Sequence, residues 1–490
     1  MKIKIDGNLK ALISEFYIQT FSLLFFPEDN NFGKSNINKE NENYIKIFIN
    51  KGENCIEISV NVCYNKKAVS KSAEFTGNDY LVRVGKLFYE AAGEITGIKP
   101  PWGIHTGIRP AKIAGNVLED NNYDEEKTLG ILREDYLMSQ NKAALAVETY
   151  KNGRNAISNN NFSDFSLYIS IPFCPTRCKY CSFISFATAK FLKLIPEYIK
   201  KLTEEIILTG KIIKDLGLNL KTVYIGGGTP TTLGCEYLEI LLTAVKNNFD
   251  LSDLKEYTVE CGRADTITRD KLELLKSFGV DRISINPQTL NDDILRKIGR
   301  CHTVDDFFKA FETARKVGFK NINTDCIIGL PEESTESMIT TIMNLIDLGP
   351  ENITIHTLCM KKSAELKSEN IYNPNAPELN NVLENSYNIL KSEGYKPYYM
   401  YRQKYAAGNL ENTGFCLNNR ECLYNIYMMD EVQTIFGVGA GAMTKLVKNG
   451  RIERIANYKY PYEYIERDFQ INRENNREKL EMLNLSEENF

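Results

Sequence analysis

Three cysteines, Cys174, Cys178 and Cys181, constrain this chain more than any other feature, because they follow the pattern C-x3-C-x2-C. They come directly after a short apolar run, which is typical of a buried strand. Three thiolates this close together can bind three irons of a [4Fe–4S] cluster, which usually takes four cysteines. The remaining iron is then open to a small molecule. S-adenosylmethionine (SAM) can chelate such an iron through its amino and carboxylate groups, so the pattern predicts a cluster that binds SAM.

Two other uses of these cysteines fit the sequence less well. Structural zinc prefers four ligands in two Cys/His pairs, and no second pair of that kind follows. A disulfide framework is typical of short secreted chains, whereas this chain has 490 residues with 12 scattered cysteines. Three unconnected core cysteines would reach this spacing only by coincidence.

Composition narrows the class of protein further. The chain is 43% hydrophobic and 25% charged, as is ordinary for a soluble globular protein. Its net charge of −4 offers no general basic field for nucleic acid. The apolar segment 16–26 is interrupted by polar residues and is too short to span a bilayer, so we interpret it as a buried helix or strand. Cysteine usage without an obvious leader predicts a cytoplasmic location.

We predict three domains: an N-terminal accessory α/β and helical region at 1–160, a partial barrel at 161–375 and a C-terminal region at 376–490. The first region contains β-rich runs at 45–49 and 56–62 and helical patterns at 79–96 and 124–157. The predicted apolar face of the helix at 79–96 consists of Leu81, Val84, Leu87, Phe88 and Ala91.

A proline-rich loop at 99–110 contains the only tryptophan, Trp102. Aromatic loop residues usually pack against a core, and this is one interpretation of Trp102. The other is that the loop covers a substrate.

Strands and helices alternate regularly after residue 164, which predicts an α/β fold with a parallel sheet curved into a partial (β/α)6 barrel. The predicted strands are 167–171, 222–225, 256–261, 282–286, 321–328 and 352–358, and the predicted helices are 191–215, 235–248, 268–278, 304–317 and 334–347. In β/α barrels the chemistry lies at the carboxyl ends of the strands.

Glycines and polar residues follow these strand ends. The second strand runs into the turn Gly-Gly-Gly-Thr-Pro-Thr at 226–231, where glycine lets a ligand approach the backbone. Four polar residues lie near the later strand ends: Glu260, Gln288, Arg300 and Asp325. A ribose diol binds a carboxylate or amide acceptor, and a carboxylate binds arginine. Each of the four could instead be a helix cap or part of a salt bridge, although an idle charge would be costly within an apolar strand.

With these motifs the chain resembles the oxygen-independent coproporphyrinogen III oxidase-like family of radical SAM proteins, and within it the HemZ type, or coproporphyrinogen dehydrogenase. The resemblance covers most of the chain. It is carried by the cysteine segment 168–183, GGGTPT at 226–231, ISINPQT at 283–289, NTDCIIGLP at 323–331, YYMYRQK at 398–404, GNLEN at 408–412 and the N-terminal Pro-Pro-Trp-Gly loop. The predicted fold is then a partial (β/α)6 radical SAM barrel with an N-terminal α/β module and a C-terminal extension.

The resemblance implies roles for individual residues. Cys174, Cys178 and Cys181 would bind the [4Fe–4S] cluster. Tyr168 would lie beside SAM, and the turn residues Gly227, Gly228 and Thr229 would contact the amino-acid end of SAM. Its ribose and carboxylate would be bound by Glu260, Gln288, Arg300 and Asp325. The family's oxidase uses two SAM molecules, and the glycine run at 436–442 is a candidate contact for the second. That run lacks the spacing of a dinucleotide-binding fingerprint, which argues against NAD.

The implied reaction belongs to anaerobic haem (porphyrin) biosynthesis. An electron donor such as flavodoxin or ferredoxin reduces the cluster, and SAM yields methionine and a 5′-deoxyadenosyl radical. The radical takes a hydrogen from a propionate β-carbon of coproporphyrinogen III, and loss of CO2 and one electron leaves a vinyl group. Two rounds give protoporphyrinogen IX. His356, at the end of the sixth strand, either faces the cavity as a catalytic residue or is a buried, satisfied histidine. Arg402 and Lys404 are either propionate partners or solvated surface charges.

Three positions differ from the family pattern. Phe183 stands where the oxidase has a fourth cysteine, and Ser170 stands where a histidine is usual. The stretch 423–428 reads LYNIYM, without the histidine and tryptophan of the haem-carrying relatives. Two alternative functions therefore remain open beside the oxidase activity. One is a haem-trafficking chaperone of the same family, and the other is a different radical SAM reaction on a tetrapyrrole.

Overall fold

The computed structural model describes residues 1–27, 43–158, 160–161, 163–181, 186–359, 377–404, 406–448 and 451–466. These residues form two compact units. Unit one contains the described residues of 1–151 and 400–411, and unit two contains those of 152–359, 378–399 and 412–466. Phe183 lies outside the described residues.

The first part of the chain contains a small sheet and five helices. The strands are β1 (Lys2–Asp6), β2 (Tyr44–Lys51), β3 (Ile56–Tyr64) and β4 (Lys67–Phe75). The helices are α1 (Glu15–Ser22), α2 (Tyr80–Thr96), α3 (Pro110–Asp120), α4 (Glu125–Glu134) and α5 (Gln140–Ala156). The strand order is β1-β2-β3-β4, with β1 parallel to β2 and the other pairs antiparallel.

The buried face of this sheet follows from the alternation of apolar residues in β2 and β3. Ile47, Val60 and the other inward side chains pack against Phe21 of α1 and Phe88 of α2. The predicted apolar face of α2 is confirmed except at Leu81, which is 45% exposed because it lies in the first turn, beyond the edge of the core. The segment 16–26 is a helix in its first part, and its inward side chains are buried.

The rest of the described chain contains a large mixed sheet. Its strands are β5 (Asp164–Ile171), β6 (Asn219–Gly227), β7 (Glu256–Glu260), β8 (Arg282–Ser284), β9 (Ile322–Ile328), β10 (Asn352–Thr357), β11 (Lys396–Arg402), β12 (Glu411–Cys416), β13 (Thr434–Val438), β14 (Met443–Lys448) and β15 (Arg451–Ala456). The helices are α6 (Ala189–Leu192), α7 (Ile195–Asp215), α8 (Cys235–Asn248), α9 (Arg269–Ser277), α10 (Asp292–Lys297), α11 (Val304–Val317), α12 (Thr335–Leu348), α13 (Pro377–Ser392), α14 (Leu423–Asp430) and α15 (Pro461–Glu466).

The predicted α/β fold and its six parallel strands are confirmed. The sheet order is β11-β12-β10-β9-β8-β7-β6-β5-β13-β14-β15, and every pair from β5 to β10 is parallel. The strand β13 extends this parallel set beyond β5. The carboxyl ends of β5 to β10 therefore share one edge, and the predicted site residues lie in the strands near that edge or just after them.

Two helical predictions were incomplete. The segment 191–215 contains two helices, α6 and α7, because Pro196 lies in the first turn of α7 and has no amide hydrogen to continue a preceding helix. The short helix α10 was not predicted; it begins after Asn291, whose side chain accepts hydrogen bonds from two amides of the first turn. Among the helices described, none combines the length and apolarity needed to cross a membrane.

Candidate active site

The cysteine loop begins two residues after β5 ends. Cys174 and Cys178 are buried, and Cys181 is half-buried. Backbone hydrogen bonds fix the loop at both ends: the Cys174 amide donates to the carbonyl of Phe186 (3.2 Å), and the Lys179 amide donates to that of Ile298 (3.0 Å). The three thiols are thus presented at the carboxyl edge of the parallel strands, as predicted for the strand end.

The glycine turn at the end of β6 packs directly against this loop. The Gly228 amide donates to the carbonyl of Ile171 and the Thr229 amide to that of Phe173, both at 2.8 Å. A Cβ atom on Gly228 would lie 2.5 Å from the Phe173 carbonyl oxygen and 3.0 Å from Sγ of Cys174. Only glycine fits at this position without displacing the cysteine loop.

Glu260 lies at the end of β7 and contacts the same glycine turn. Its carboxylate accepts hydrogen bonds from the Tyr224 hydroxyl (2.6 Å) and the Gly227 amide (3.2 Å). Burial raises the pKa of Glu260 to about 7, although both hydrogen bonds act in the opposite direction. Its carboxyl group therefore lies close to its midpoint of titration at neutral pH.

Tyr168 is the first of three stacked tyrosines beside Glu260. Its ring centroid lies 6.2 Å from that of Tyr224 and 6.0 Å from that of Tyr424, and the latter two are 4.3 Å apart. Burial and the Glu260 charge raise the pKa of Tyr168 above its usual range. The Tyr168 hydroxyl therefore keeps its proton at neutral pH.

Gln288 has an unusual backbone and an unsatisfied side chain. Its φ of 72° is positive, a conformation that costs a residue with a Cβ atom about 1–3 kcal/mol and often marks a functional site. The backbone is held by hydrogen bonds with β9, in which the Gln288 amide donates to the Asp325 carbonyl. The buried Oε1 has no hydrogen-bond partner among the described residues, so it is available to accept one from a ligand.

Arg300 lies beside the cysteine loop and is also incompletely satisfied. Its guanidinium donates to the Tyr180 hydroxyl (2.8 Å) and to the carbonyls of Gly262 (3.0 Å) and Asn286 (3.3 Å). Its buried Nε finds no acceptor in the part of the chain that the structure describes. A buried guanidinium N–H without an acceptor can donate a hydrogen bond to an anionic ligand.

Asp325 and His356 lie close together on the neighbouring strands β9 and β10. His356 Nε2 is 3.5 Å from a carboxylate oxygen of Asp325, and Asn323 donates to the other oxygen at 2.8 Å. Burial acts to raise the pKa of Asp325, but its contacts with His356, Asn323 and Thr354 together lower it below the usual value, so this carboxyl group stays ionised. His356 also lies 3.3 Å from Oδ1 of Asn412, and its side chain is 24% exposed.

Arg402 and Lys404 were candidates for binding the propionates of the substrate, and both contact other parts of the protein. Arg402 is buried in unit one, where its guanidinium donates three hydrogen bonds to the carbonyls of His105 and Asn409. The interpretation of Arg402 as a solvated surface charge is therefore wrong, and its binding of a propionate stays a prediction. Lys404, also in unit one, lies over the ring of Phe16 at 3.7 Å.

The glycine run at 436–442 is occupied by internal hydrogen bonds. The Gly439 amide donates to Glu205 (2.7 Å) and the Ala440 amide to the Tyr198 hydroxyl (2.9 Å). A Cβ atom on Gly439 would lie 2.6 Å from the Ser170 carbonyl oxygen. These glycines serve the close packing of β13 against β5, which gives no support to a second SAM molecule bound by these amides.

Sequence reasoning missed Arg263, whose guanidinium lies 3.5 Å from Sγ of Cys178. It follows Glu260 by three residues, just past the carboxyl end of β7. That position at a strand end could have identified it. Tyr224 was missed as well, although its side chain lies on the same strand as the glycine turn.

The described residues include no group of three or more histidine, cysteine, aspartate or glutamate side chains gathered around a single ion position. Cysteines that bind a [4Fe–4S] cluster attach to different irons, so their sulfurs do not need to converge on one point.

The parallel strands, with cysteines following the first of them, define a radical SAM domain: residues 168–345 match the Radical SAM superfamily. The chain is 38% identical over 379 residues, 76% of its length and 75% of the relative's, to the oxygen-independent coproporphyrinogen-III oxidase-like protein HemZ of Bacillus subtilis. It therefore belongs to the oxygen-independent coproporphyrinogen III oxidase-like family of radical SAM proteins, in its HemZ type.

Two other relatives help to place the chain. It is 39% identical over 199 residues to the heme chaperone HemW of Bacillus subtilis, covering 40% of this chain and 51% of that protein. The structure of coproporphyrinogen III oxidase HemN from Escherichia coli has the same fold, with a TM-score of 0.51 and 22% identity over 64% of this chain and 70% of that one.

Proteins of the radical SAM family bind a [4Fe–4S] cluster and SAM, and the residues of this site fit both. The soft thiols of the cysteine loop are the ligands that iron–sulfur clusters take. The unpartnered Oε1 of Gln288 and Nε of Arg300 are an acceptor and a donor that a ligand with both hydroxyl and carboxylate groups can satisfy. The individual roles of these residues remain predictions.

Proposed function

We propose that this protein is a radical SAM enzyme that oxidatively decarboxylates propionates of coproporphyrinogen III to vinyl groups. The observation that carries the proposal is its 38% identity, over three quarters of both chains, to an oxygen-independent coproporphyrinogen-III oxidase-like protein. The cysteine loop and the glycine turn that packs against it support it, because together they bring thiols and backbone amides to one strand edge.

The cluster and the amino-acid end of SAM would be bound by the cysteine loop, the glycine turn and Arg300. Cys174, Cys178 and Cys181 would bind three irons, and Gly227, Gly228 and Thr229 would contact the amino-acid end of SAM. When bound, the cluster and SAM supply a 5′-deoxyadenosyl radical that can abstract a hydrogen atom. Arg300 would direct its Nε towards the SAM carboxylate, because that buried donor is otherwise unsatisfied.

Two acceptors, Gln288 and Asp325, would bind the ribose of SAM. Gln288 would accept a hydrogen bond from a ribose hydroxyl through its buried Oε1. Asp325 is ionised through its contact with His356 and is a charged acceptor for the same diol. Glu260, already holding the Gly227 amide, would orient the glycine turn while it contacts SAM.

Two residues are proposed to act closer to the substrate. Tyr168 keeps its hydroxyl proton and would donate a hydrogen bond near Glu260. His356, which is 24% exposed, would donate a hydrogen bond to a propionate carboxylate through Nδ1 in exchange for its contact with Asn412, while Asp325 holds Nε2. An electron donor such as flavodoxin or ferredoxin would supply the reducing electron.

Anaerobic turnover tests the proposal. The reconstituted protein would be given SAM, a reductant and coproporphyrinogen III, and the products followed by mass spectrometry. Stepwise loss of two carboxyl groups, absent in Cys178→Ser, is expected. Formation of 5′-deoxyadenosine from an intact porphyrinogen would instead assign a different substrate, such as another tetrapyrrole.

A haem-trafficking chaperone is the second candidate, because the chain is 39% identical over 199 residues to a heme chaperone HemW. The sequence departs from both candidates: Ser170 replaces a histidine that is usual in the family, and the stretch 423–428 lacks the histidine and tryptophan of the haem-carrying relatives. The Ser170 hydroxyl donates to the Ala440 carbonyl at 2.7 Å, so it serves packing. A chaperone would bind haem stoichiometrically and leave coproporphyrinogen III unchanged in the same assay.

A further inference from the structure

Arg263 is a buried cation that lies against the cysteine loop. It follows β7 and precedes the short 3₁₀ turn Ala264–Thr266, and its side chain is only 3% exposed. Burying a charge is costly unless it is paired and hydrogen-bonded. The contacts of the Arg263 guanidinium therefore indicate its role in the site.

All five N–H groups of the Arg263 guanidinium have an acceptor. Nε and one Nη2 hydrogen are taken by the two carboxylate oxygens of Asp265, at 3.0 and 2.9 Å. The other Nη2 hydrogen points to Oγ1 of Thr176 at 2.9 Å. Nη1 contacts the Thr176 carbonyl at 3.3 Å and Sγ of Cys178 at 3.5 Å. Arginine has five donors in a fixed fork, so this arrangement commits one of them to the cysteine sulfur.

The bidentate contact with Asp265 fixes the direction of that donor. A guanidinium paired with a carboxylate through two parallel hydrogen bonds cannot rotate without breaking both. Thr176, which accepts from the other side, lies between Cys174 and Cys178 in the loop. Arg263 thus holds the loop and one of its thiols in a defined geometry.

We infer that Arg263 is a positioning residue that donates a hydrogen bond to the Cys178 thiolate and raises the reduction potential of the cluster bound there. The inference rests on the proposed assignment of Cys178 as a cluster ligand. Hydrogen bonds to the sulfurs, net charge and solvent exposure set the potential of iron–sulfur clusters. A buried positive charge favours the reduced cluster, which carries one more negative charge, and low exposure limits screening by solvent.

Replacement of the guanidinium tests this directly. Arg263→Gln would be reconstituted anaerobically, and its midpoint potential measured by redox titration with electron paramagnetic resonance (EPR) detection. We expect wild-type iron content with at least a tenfold smaller equilibrium constant for reduction, a shift of about 59 mV to more negative potential for a one-electron couple.

Arg315→Gln is the matched control. Arg315 is also an arginine of unit two that donates to a carboxylate, Glu351 (3.0 Å), and to backbone carbonyls. It lies near the amino end of β9, because Glu351 accepts from the Ile322 amide. Its loss should leave the potential unchanged. A fully loaded Arg263→Gln protein with the wild-type potential would overturn the inference.

A second measurement uses the wild-type chain and so does not depend on the variant folding. Protein labelled with 15N-arginine and reduced without SAM should show 15N hyperfine coupling in pulsed EPR, because a hydrogen bond transmits spin density from the cluster. Absence of that coupling would also overturn the inference. Failure of Cys178→Ser to lose iron would contradict the ligand assignment instead, so the two failures are distinguishable.

Discussion

Gly228 is the residue at which the glycine turn and the cysteine loop approach most closely. In Gly228→Ala the new methyl group would meet the Phe173 carbonyl oxygen at 2.5 Å and Sγ of Cys174 at 3.0 Å. The Phe173 carbonyl is part of the backbone and cannot move without shifting the loop, so we expect a loss of about 1–3 kcal/mol of stability, as for other overpacked sites. We also expect a lower iron content per chain after reconstitution, measured by colorimetric iron assay.

Gly234→Ala is the control for this substitution. Gly234 lies just before α8 in the same unit, with a negative φ and no atom within 4 Å of a Cβ atom built on it. Its replacement should change stability by no more than about 0.5 kcal/mol and leave iron content unchanged. Equal iron contents in the two variants would show that the close approach at Gly228 does not matter for the cluster.

The sequence identified residues of the candidate site better than it identified the residues that contact them. The cysteines, the glycine turn and the strand-end residue Glu260 were found because each belongs to a local pattern. Arg402 was considered for the substrate because propionates bind cations, and as a surface charge because most arginines are exposed; its acceptors include a carbonyl 297 positions away, which no local pattern reveals. The position of Arg263 after a strand end was visible in the sequence, but its contact with Cys178 spans 85 positions and was not.

At the scale of elements, hydrophobic periodicity predicted the six parallel strands because each is buried on both faces. It missed β1 and β4, which lie at the edges of the small sheet. The strand β4 contains lysines, serine and alanine rather than β-branched residues throughout, and most of its side chains are not buried. Its pairing with β3 is a tertiary effect that overrides weak local propensity.

A buried ion pair joins helix α5 to the first residue of β12. Lys142 Nζ lies 2.6 Å from a carboxylate oxygen of Glu411, and both side chains are at most 1% exposed. The other carboxylate oxygen accepts from Trp102 Nε1 at 2.7 Å, so this tryptophan packs as a structural residue within unit one. Lys142→Ala would leave the carboxylate buried without its charge partner, and we expect a loss of about 3–5 kcal/mol in denaturant unfolding.

Lys151→Ala gives the comparison within the same helix. Lys151 also pairs with a glutamate, Glu125, but both side chains are about half exposed. Solvent screens such a pair, and its loss should cost no more than about 1 kcal/mol. Similar unfolding midpoints for the two variants would rule out the buried pair as a major source of stability in unit one.

At the scale of the whole molecule, each of the two compact units has its own buried core, and the residues assigned to SAM and the cluster all lie in unit two. Multidomain chains often unfold in more than one step, so anaerobic calorimetry is expected to resolve two transitions. SAM at a hundredfold excess over its dissociation constant stabilises the folded site by about 2.7 kcal/mol. For a unit of this size that corresponds to roughly 4 °C.

The shift should appear in one transition only. Lys142→Ala, whose contacts lie in unit one, should lower the other transition and leave the response to SAM unchanged, which assigns each transition to its unit. Cys178→Ser should abolish the response to SAM, because SAM is expected to chelate the cluster that this variant cannot hold. A SAM-induced shift in the transition that Lys142→Ala lowers would place the SAM site outside the barrel strands and contradict the assignment.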